Sequence, residues 1–303
     1  LGSWVTYGLG SENQDLPGYI TICQALSQGG ANNFGSAFLP AAFQGTPLGS
    51  GGIAASEALI PFIRGKNPRH LQQLELEMLR KMAAAQNQEI GSDPQGTARL
   101  ASFELALRMQ NEAPLAQDLA SESTATQRLY GLNDPATEDF GRQCLMARRF
   151  AERGVRFVQC NSNGWDHHSQ LEQGMTNMCR AVDQPIAGLL TDLKQRGMLE
   201  ETLVIWGGEF GRTPTAENAN GRDHNPHGFT VWMAGGGVRA GLTYGQTDDY
   251  GYYAVEGKVH FHDLHATILH LLGLDHQRLT FRYAGRDFRL TDVHGAVVHD
   301  LLA

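Results

Sequence analysis

Apolar residues recur at helical spacing from about Asn67 to Ile90, where Leu71, Leu74, Met78 and Met82 stand among Gln, Glu, Lys and Arg. A stripe of that period predicts an amphipathic helix. Leu100, Phe103 and Leu107 predict a second from about Thr97 to Met109. A third runs from about Glu138 to Arg153, with Gly154 placed to end it. Between the second and third, Ala113 to Pro135 reads as a linker. The first stretch, Leu1 to about Ile53, shows no such period. Its Gly, Asn, Ser and Pro, interspersed with Trp4, Tyr7, Tyr19, Phe34, Phe38 and Phe43, predict ordered loop packed over a body. A disordered tail carries fewer aromatics.

The pattern changes after Gly154. Val155–Cys160 alternates like a strand, Thr202–Trp206 is a short apolar run of the buried kind, and Phe229–Ala234 is a third strand. Between the first two, Leu171, Met175, Met178, Val182, Ile186, Leu189, Leu190 and Leu193 fall on one helical face. Pro185 either kinks this helix or marks a restart with Asp183 as N-cap. Strand, helix, strand at this spacing implies a right-handed crossover and a largely parallel sheet. A last helix is expected from Asp263 to Leu272, capped by Asp263 and stopped by Gly273. The expected fold class is α/β, a mostly parallel sheet flanked by helices. It forms one domain over residues 1–303, with a loop-rich segment 1–63, a helical insertion 64–153 and a sheet core 154–303.

Composition removes some functions. A hydrophobic share of 41% and a charged share of 18% are ordinary for a globular chain. A net charge of -8 argues against a general nucleic-acid partner, since phosphate neutralisation needs a basic face. A small anionic substrate stays compatible, because a bound cation can invert the local field. No apolar run approaches the roughly 20 residues of a membrane span. Cys23, Cys144, Cys160 and Cys179 show no CxxC spacing, so zinc-knuckle and thioredoxin motifs are not indicated. Cys144 and Cys179 lie in apolar helical patterns and read as packing residues.

Candidate chemistry sits where open α/β sheets bind ligands, beyond the carboxyl ends of strands. Asn161 to His168 follows the first strand, Gly207 to Pro214 follows the second, and Asn218 to His227 precedes the third. Any one of these clusters is explained as well by caps and hydrogen bonds as by metal. Together they offer oxygen and imidazole donors without thiolate, the set a hard or borderline divalent cation takes. Asp166 and His168 are two apart and project to one side of extended backbone. Glu209 follows two glycines that let the chain turn and present a carboxylate. Arg212 is read either as an ion-pair partner of Glu209 or as the planar fork that binds an anionic substrate group.

His260, His262, His265 and His270 are explained by capping and packing at least as well as by ligation, and His276, His294 and His299 are assigned to the surface. There is no HExxH and no GxSxG. Gly235 to Ala240 matches a loose dinucleotide fingerprint, but no helical period follows it, so that reading is rejected.

Trp165-Asp166-His167-His168, Gly208-Glu209-Phe210-Gly211-Arg212-Thr213-Pro214, Gly221-Arg222-Asp223-His224-Asn225 and His262-Asp263-Leu264-His265-Ala266-Thr267 resemble the DUF1501 family, an uncharacterised group placed with alkaline phosphatases and sulfatases. The resemblance implies helices on a mixed sheet, an alkaline phosphatase-like fold, and hydrolysis of sulfate or phosphate esters at a site holding a divalent metal (Zn, Mn or Ca). It places metal ligands at Asp166, His168, Glu209, Asp223 and His224. The catalytic cation expected beside them is Arg212, from the chemistry of its fork. The implied substrate is a small anionic ester or a sulfated or phosphorylated glycan. Two departures stand out. Glu209 occupies a place where better-known members carry an Asp-His pair, and Asp166 and His168 are closer together than the usual pair. The family's earlier strand, with its nucleophile and first carboxylate, is expected ahead of Leu1, since Thr6 and Ser11 have no motif around them. A leader preceding that segment would mark export. The competing expectation is a non-catalytic binding protein that retains the hydrolase fold.

Overall fold

A computed structural model of the chain describes residues 1–25, 29–60, 63, 65, 67–91 and 93–303. The stretch expected to be loop holds the central strand of the main sheet. After a short helix α1 (Gly2–Leu9), the fully buried run Tyr19–Ile22 forms β1. It pairs in parallel with β2 (Thr46–Leu48) on one side and β3 (Phe157–Cys160) on the other. Ile20 faces Thr46 and Val158 across the two ladders. Pro47 is tolerated in β2 because an edge strand has one side free of ladder bonds. The loop expectation fails because four residues are too few to show a period, and because β1 is stabilised by partners remote in sequence. The aromatics do pack as expected: Trp4 meets Tyr7 and Phe38 edge to face at 5.8 and 6.1 Å.

The helices that follow are α2 (Arg69–Ile90), α3 (Pro94–Gln117), α4 (Thr124–Leu129) and α5 (Glu138–Glu152). The expected boundary between residues 63 and 64 falls at Arg64, outside the described residues. Helix α3 continues past Met109 and through Pro114, into the stretch expected to be linker. Arg149 explains where its last carbonyls go. Its Nε donates to the Ala116 carbonyl at 2.8 Å and its Nη2 to that of Leu115 at 2.7 Å. Neighbouring Arg148, 1% exposed, pairs with Glu122 at 2.7 Å and with Glu152 at 2.6 Å, and Arg149 also donates to Glu122. Gly154, at φ 80°, ends this region as expected. The stripe on α2 does not behave as expected. Leu76 is buried, and α2 packs against α3, but Leu71, Leu74, Met78 and Met82 are 41 to 63% exposed.

The chain divides into two compact units: Leu1–Arg128 with Asp139–Asn161, and Leu129–Glu138 with Ser162–Ala303. Strand β3 belongs to the first. The second is organised on α6 (Leu171–Gln195), which runs unbroken through Pro185 and buries Val182, Pro185, Gly188 and Leu193. Gly188 lies against the Leu129 carbonyl, 2.6 Å from where a Cβ would stand. Beside it Tyr130 donates its hydroxyl to buried Asp192 at 3.0 Å. Strand β4 (Val204–Trp206) precedes the two-residue strands β5 (Gly211–Arg212) and β6 (His224–Asn225), and β7 (Trp232–Ala234) follows. Both pairings, β4 with β7 and β5 with β6, are antiparallel.

Among the described residues, the parallel crossover expected from Val155–Cys160 to Thr202–Trp206 forms no ladder, and Phe229–Ala234 contributes an antiparallel strand. For the second of these the reason is the connection. No helix lies between Trp206 and Trp232 to carry the chain back to the starting end of the sheet. Small antiparallel pairs β8 (Gln246–Thr247) with β9 (Ala254–Glu256) and β10 (Phe281–Tyr283) with β11 (Arg286–Phe288) frame α7 (Phe261–Leu271). His260, not Asp263, is the N-cap of α7. Its Nδ1 accepts from the His262 amide, while the Asp263 carboxylate accepts from the His260 amide at 2.9 Å. Gly273, at φ 77°, is the stop that was expected. No helix follows Gly237 before Phe261.

The described chain is mixed α/β, with a three-stranded parallel sheet flanked by helices and small antiparallel pairs elsewhere. No helix among the described residues is long and apolar enough to cross a membrane. Two side-chain expectations are corrected. His276 is 7% exposed and bonded to Thr291 Oγ1 at 3.0 Å, and Cys179 is exposed while Cys144 is buried.

Candidate metal centre

The hairpin β5–β6 is the scaffold of the site. Arg212 stands opposite His224 in the ladder, so both side chains leave the same face. The pairing is extended by the Thr213 amide donating to the Asp223 carbonyl at 2.9 Å. The loop carrying Asp166 and His168 is tied to this hairpin by its backbone. The Arg222 amide donates to the His167 carbonyl at 3.0 Å, and Asn218 Nδ2 to that of His168 at 3.1 Å. Gly221 makes the approach possible, because a Cβ there would lie 1.9 Å from the His168 carbonyl oxygen. Gly174 does the same for the His167 ring, 2.4 Å from the place of its absent Cβ.

Three donor atoms converge at the centre. His168 Nε2 and His224 Nε2 each lie 3.0 Å from Asp166 Oδ1, and 3.2 Å from one another. Arg212 Nη1 donates to the same oxygen at 2.7 Å. The other ring nitrogen of His168 bonds to Glu217. The Phe210 ring lies 4.3 Å from that of His224, with the Arg212 guanidinium 5.6 Å from its centroid. Hydrogen bonds from Arg212 and then His224 hold the Asp166 carboxyl down at about 2. The bond to Glu217 raises His168 above its ordinary 6.5.

These distances fit a cation. Tetrahedral ligands about 2.1 Å from zinc stand about 3.4 Å from each other. Asp166, His168 and His224 offer atoms that all lie within 4.8 Å of one another, and so do His168, Glu217 and Asp223. Glu217 also supplies what a ligating imidazole needs. A carboxylate on Nδ1 fixes the ring and leaves Nε2 to face the centre.

Of the residues singled out in the sequence, Asp166, His168, His224 and Asp223 are brought together, with Arg212 beside them. Among the described residues Glu209 joins neither group, and Arg212 pairs with Asp166 rather than with Glu209. The turn before Glu209 owes nothing to left-handed backbone, since neither Gly207 nor Gly208 has positive φ. Gly207 is instead needed by the Val231 side chain, 2.9 Å from its missing Cβ. His227 lies against Tyr252 and Tyr253, with ring centroids 5.7 and 5.1 Å away. His260, His262, His265 and His270 form no donor group among the described residues. Glu217 was missed. Its one signal was a carboxylate in the polar run Thr215-Ala216-Glu217-Asn218.

No curated protein and no solved structure matches the chain. One family model does, that of the proteins of unknown function called DUF1501, over residues 1–302, and the chain belongs to that family.

Proposed function

We propose that Asp166, His168 and His224 hold a divalent cation (Zn, Mn or Ca) and that the chain is a metal-dependent hydrolase of sulfate or phosphate esters on an alkaline phosphatase-like fold. The observation that carries this reading is the near-equilateral triangle of one carboxylate oxygen and two imidazole nitrogens, with edges of 3.0, 3.0 and 3.2 Å. A cation held there would neutralise charge on an ester oxygen and favour the ionised form of a nucleophile. Arg212 uses Nη1 to fix Asp166, and its fork has further N–H donors to clamp an anionic oxygen. Phe210 supports both Arg212 and His224 from one side, which keeps the two in register with the ladder. Glu217 orients His168, and Asp223 adds a further oxygen donor within 4.8 Å of both.

Elemental analysis of the purified chain tests the proposal, with hydrolysis of aryl sulfates and aryl phosphates measured beside it. Stoichiometric metal that disappears in Asp166→Ala and His224→Ala is expected. A folded protein that stays metal-free under saturating Zn, Mn and Ca would overturn it.

A second reading rests on a separate observation. Asp166 Oδ1 already accepts from Arg212 and faces both imidazoles, so the cluster by itself pins the Asp166–His168 loop to both strands of the hairpin. In that reading the protein binds without catalysis, and metal saturation leaves both its thermal stability and its aryl-ester turnover at background.

A further inference from the structure

Three of the chain's four tryptophans line one cleft, of about 430 Å³, in the second unit. Trp206 and Trp232 are register partners in the β4–β7 ladder, so their indoles stand side by side on one face. Trp165 meets Trp206 edge to face, with centroids 6.1 Å apart and planes at 79°, and its Nε1 donates to Ser162 Oγ at 3.1 Å. The remaining lining comes from α6, where Met175, Cys179, Val182 and Ile186 stand with the charged Arg180 and Asp183. Trp206 is 36% exposed, a large apolar surface left in water.

We infer that this cleft is a sugar-binding subsite, taking a pyranose ring of a glycan against the indoles of Trp165, Trp206 and Trp232. The chemistry of the walls selects this class. A pyranose has a patch of C–H groups on one face and hydroxyls around its rim. Indole faces match the first, and Asp183 and Arg180, whose Nη2 also donates to Asp134 at 3.2 Å, match the second as acceptor and donor. A purely apolar ligand would offer no hydrogen bond to either charge. A nucleobase stacks on indole equally well, but the backbone of a nucleic acid meets a chain of net charge -8.

Trp165 is bonded directly to Asp166, so one loop supplies a residue to the cleft and a residue to the triangle of donors. If the sugar bound there carries the ester that the centre cleaves, the cleft is the substrate subsite of that centre. That last link rests on the proposed hydrolase, whereas sugar binding does not.

Titration of the full chain with cellohexaose, agarohexaose and a desulfated chondroitin hexasaccharide tests the site by tryptophan fluorescence and calorimetry. Trp4, in the first unit, is buried, so the fluorescence change reports on the cleft. Saturable binding of at least one probe is expected. It weakens about tenfold or more in Trp206→Ala and in Trp232→Ala, the loss expected for one stacked ring. Trp206→Phe recovers part of it, and Asp183→Asn weakens it without touching the stack. If the alanine variants fail to fold by circular dichroism, the phenylalanine and asparagine variants carry the test alone. Absence of binding by all three probes, unaltered binding in every cleft variant, or tighter binding of adenosine monophosphate overturns the assignment. Metal content is read on the same samples. Protein that binds sugar but no metal sinks the hydrolase and keeps the subsite, and the reverse result does the opposite. Asp166→Ala is expected to lose metal and retain the sugar.

Discussion

Glu217 holds Nδ1 of His168 across 49 residues of sequence, and in doing so turns Nε2 of that ring toward Asp166 Oδ1 at 3.0 Å. A ring fixed on one nitrogen is a better ligand through the other. Glu217→Gln is therefore expected to weaken zinc or manganese binding about 10- to 100-fold while the protein stays folded. Calorimetric titration of the apo protein measures it, and an unchanged affinity removes Glu217 from the centre.

The same bond sets a pH dependence. His168 is raised above 6.5 by Glu217, so in the metal-free protein its contribution to loop stability is fully present below 6.5. That contribution is lost as pH climbs through the elevated folded value. Metal competes with the proton and runs the other way, with affinity rising over the same interval. Nuclear magnetic resonance of the His168 ring should show its midpoint above 6.5 in the native chain and lower in Glu217→Gln.

Arg212 is the first cause of the depressed Asp166 carboxyl. Arg212→Met should raise that carboxyl from about 2 toward its ordinary 3.8. The sign follows from linkage. Asp166 contributes stability above 3.8, and in the native chain that contribution is lost only as pH falls toward 2. In the variant the acid transition of the site should begin at higher pH, which a carboxyl resonance or an acid-unfolding curve detects. Arg212→Lys should not restore turnover of an anionic ester, since a point charge cannot reproduce a planar fork.

Gly221→Ala tests how the two loops are joined. The new methyl would overlap the His168 carbonyl and push Asp166 and His168 away from the hairpin. A loss of about 1–3 kcal/mol in urea unfolding is expected, as for other overpacked sites. Metal stoichiometry should drop well below one per chain. Retention of full metal binding would contradict the close approach.

In the first unit, Glu122 pairs with both Arg148 and Arg149. Burial alone would raise its carboxyl, but hydrogen bonds from the two arginines reverse that and hold it below 4.5. Glu122→Gln leaves two arginines without their shared carboxylate and should cost about 3–5 kcal/mol. In the native chain this contribution is present above 4.5 and fades as pH falls through the lowered value. Urea titrations at neutral pH and near pH 3 should show the gap between native and variant narrowing in acid.

Periodic segments were the most legible part of the fold. The span of α2, the Gly154 and Gly273 stops, and the single long face of α6 can all be read from local spacing, because a helix is stabilised by its own neighbours. Strand β1 could not be read. Four residues carry too little period, and its partners Thr46 and Val158 are remote in sequence. Direction in β4–β7 depended on a connection whose path no local pattern shows. At the site, Asp166, His168, Asp223 and His224 were visible as clustered donors. Glu209 was drawn in by its place at a strand tip, although tertiary geometry brings Glu217 to His168 instead.

The bare stripe on α2 has a consequence for the chemistry of the surface. Met78 and Met82 are 63% and 57% exposed, so peroxide reaches both thioethers while the helix is intact. Oxidation to the sulfoxide would turn the middle of an oily ridge into a polar, chiral surface, and a reductase could turn it back. The hydrophobicity of that face is a redox variable, set by the oxidants around the protein as much as by its sequence.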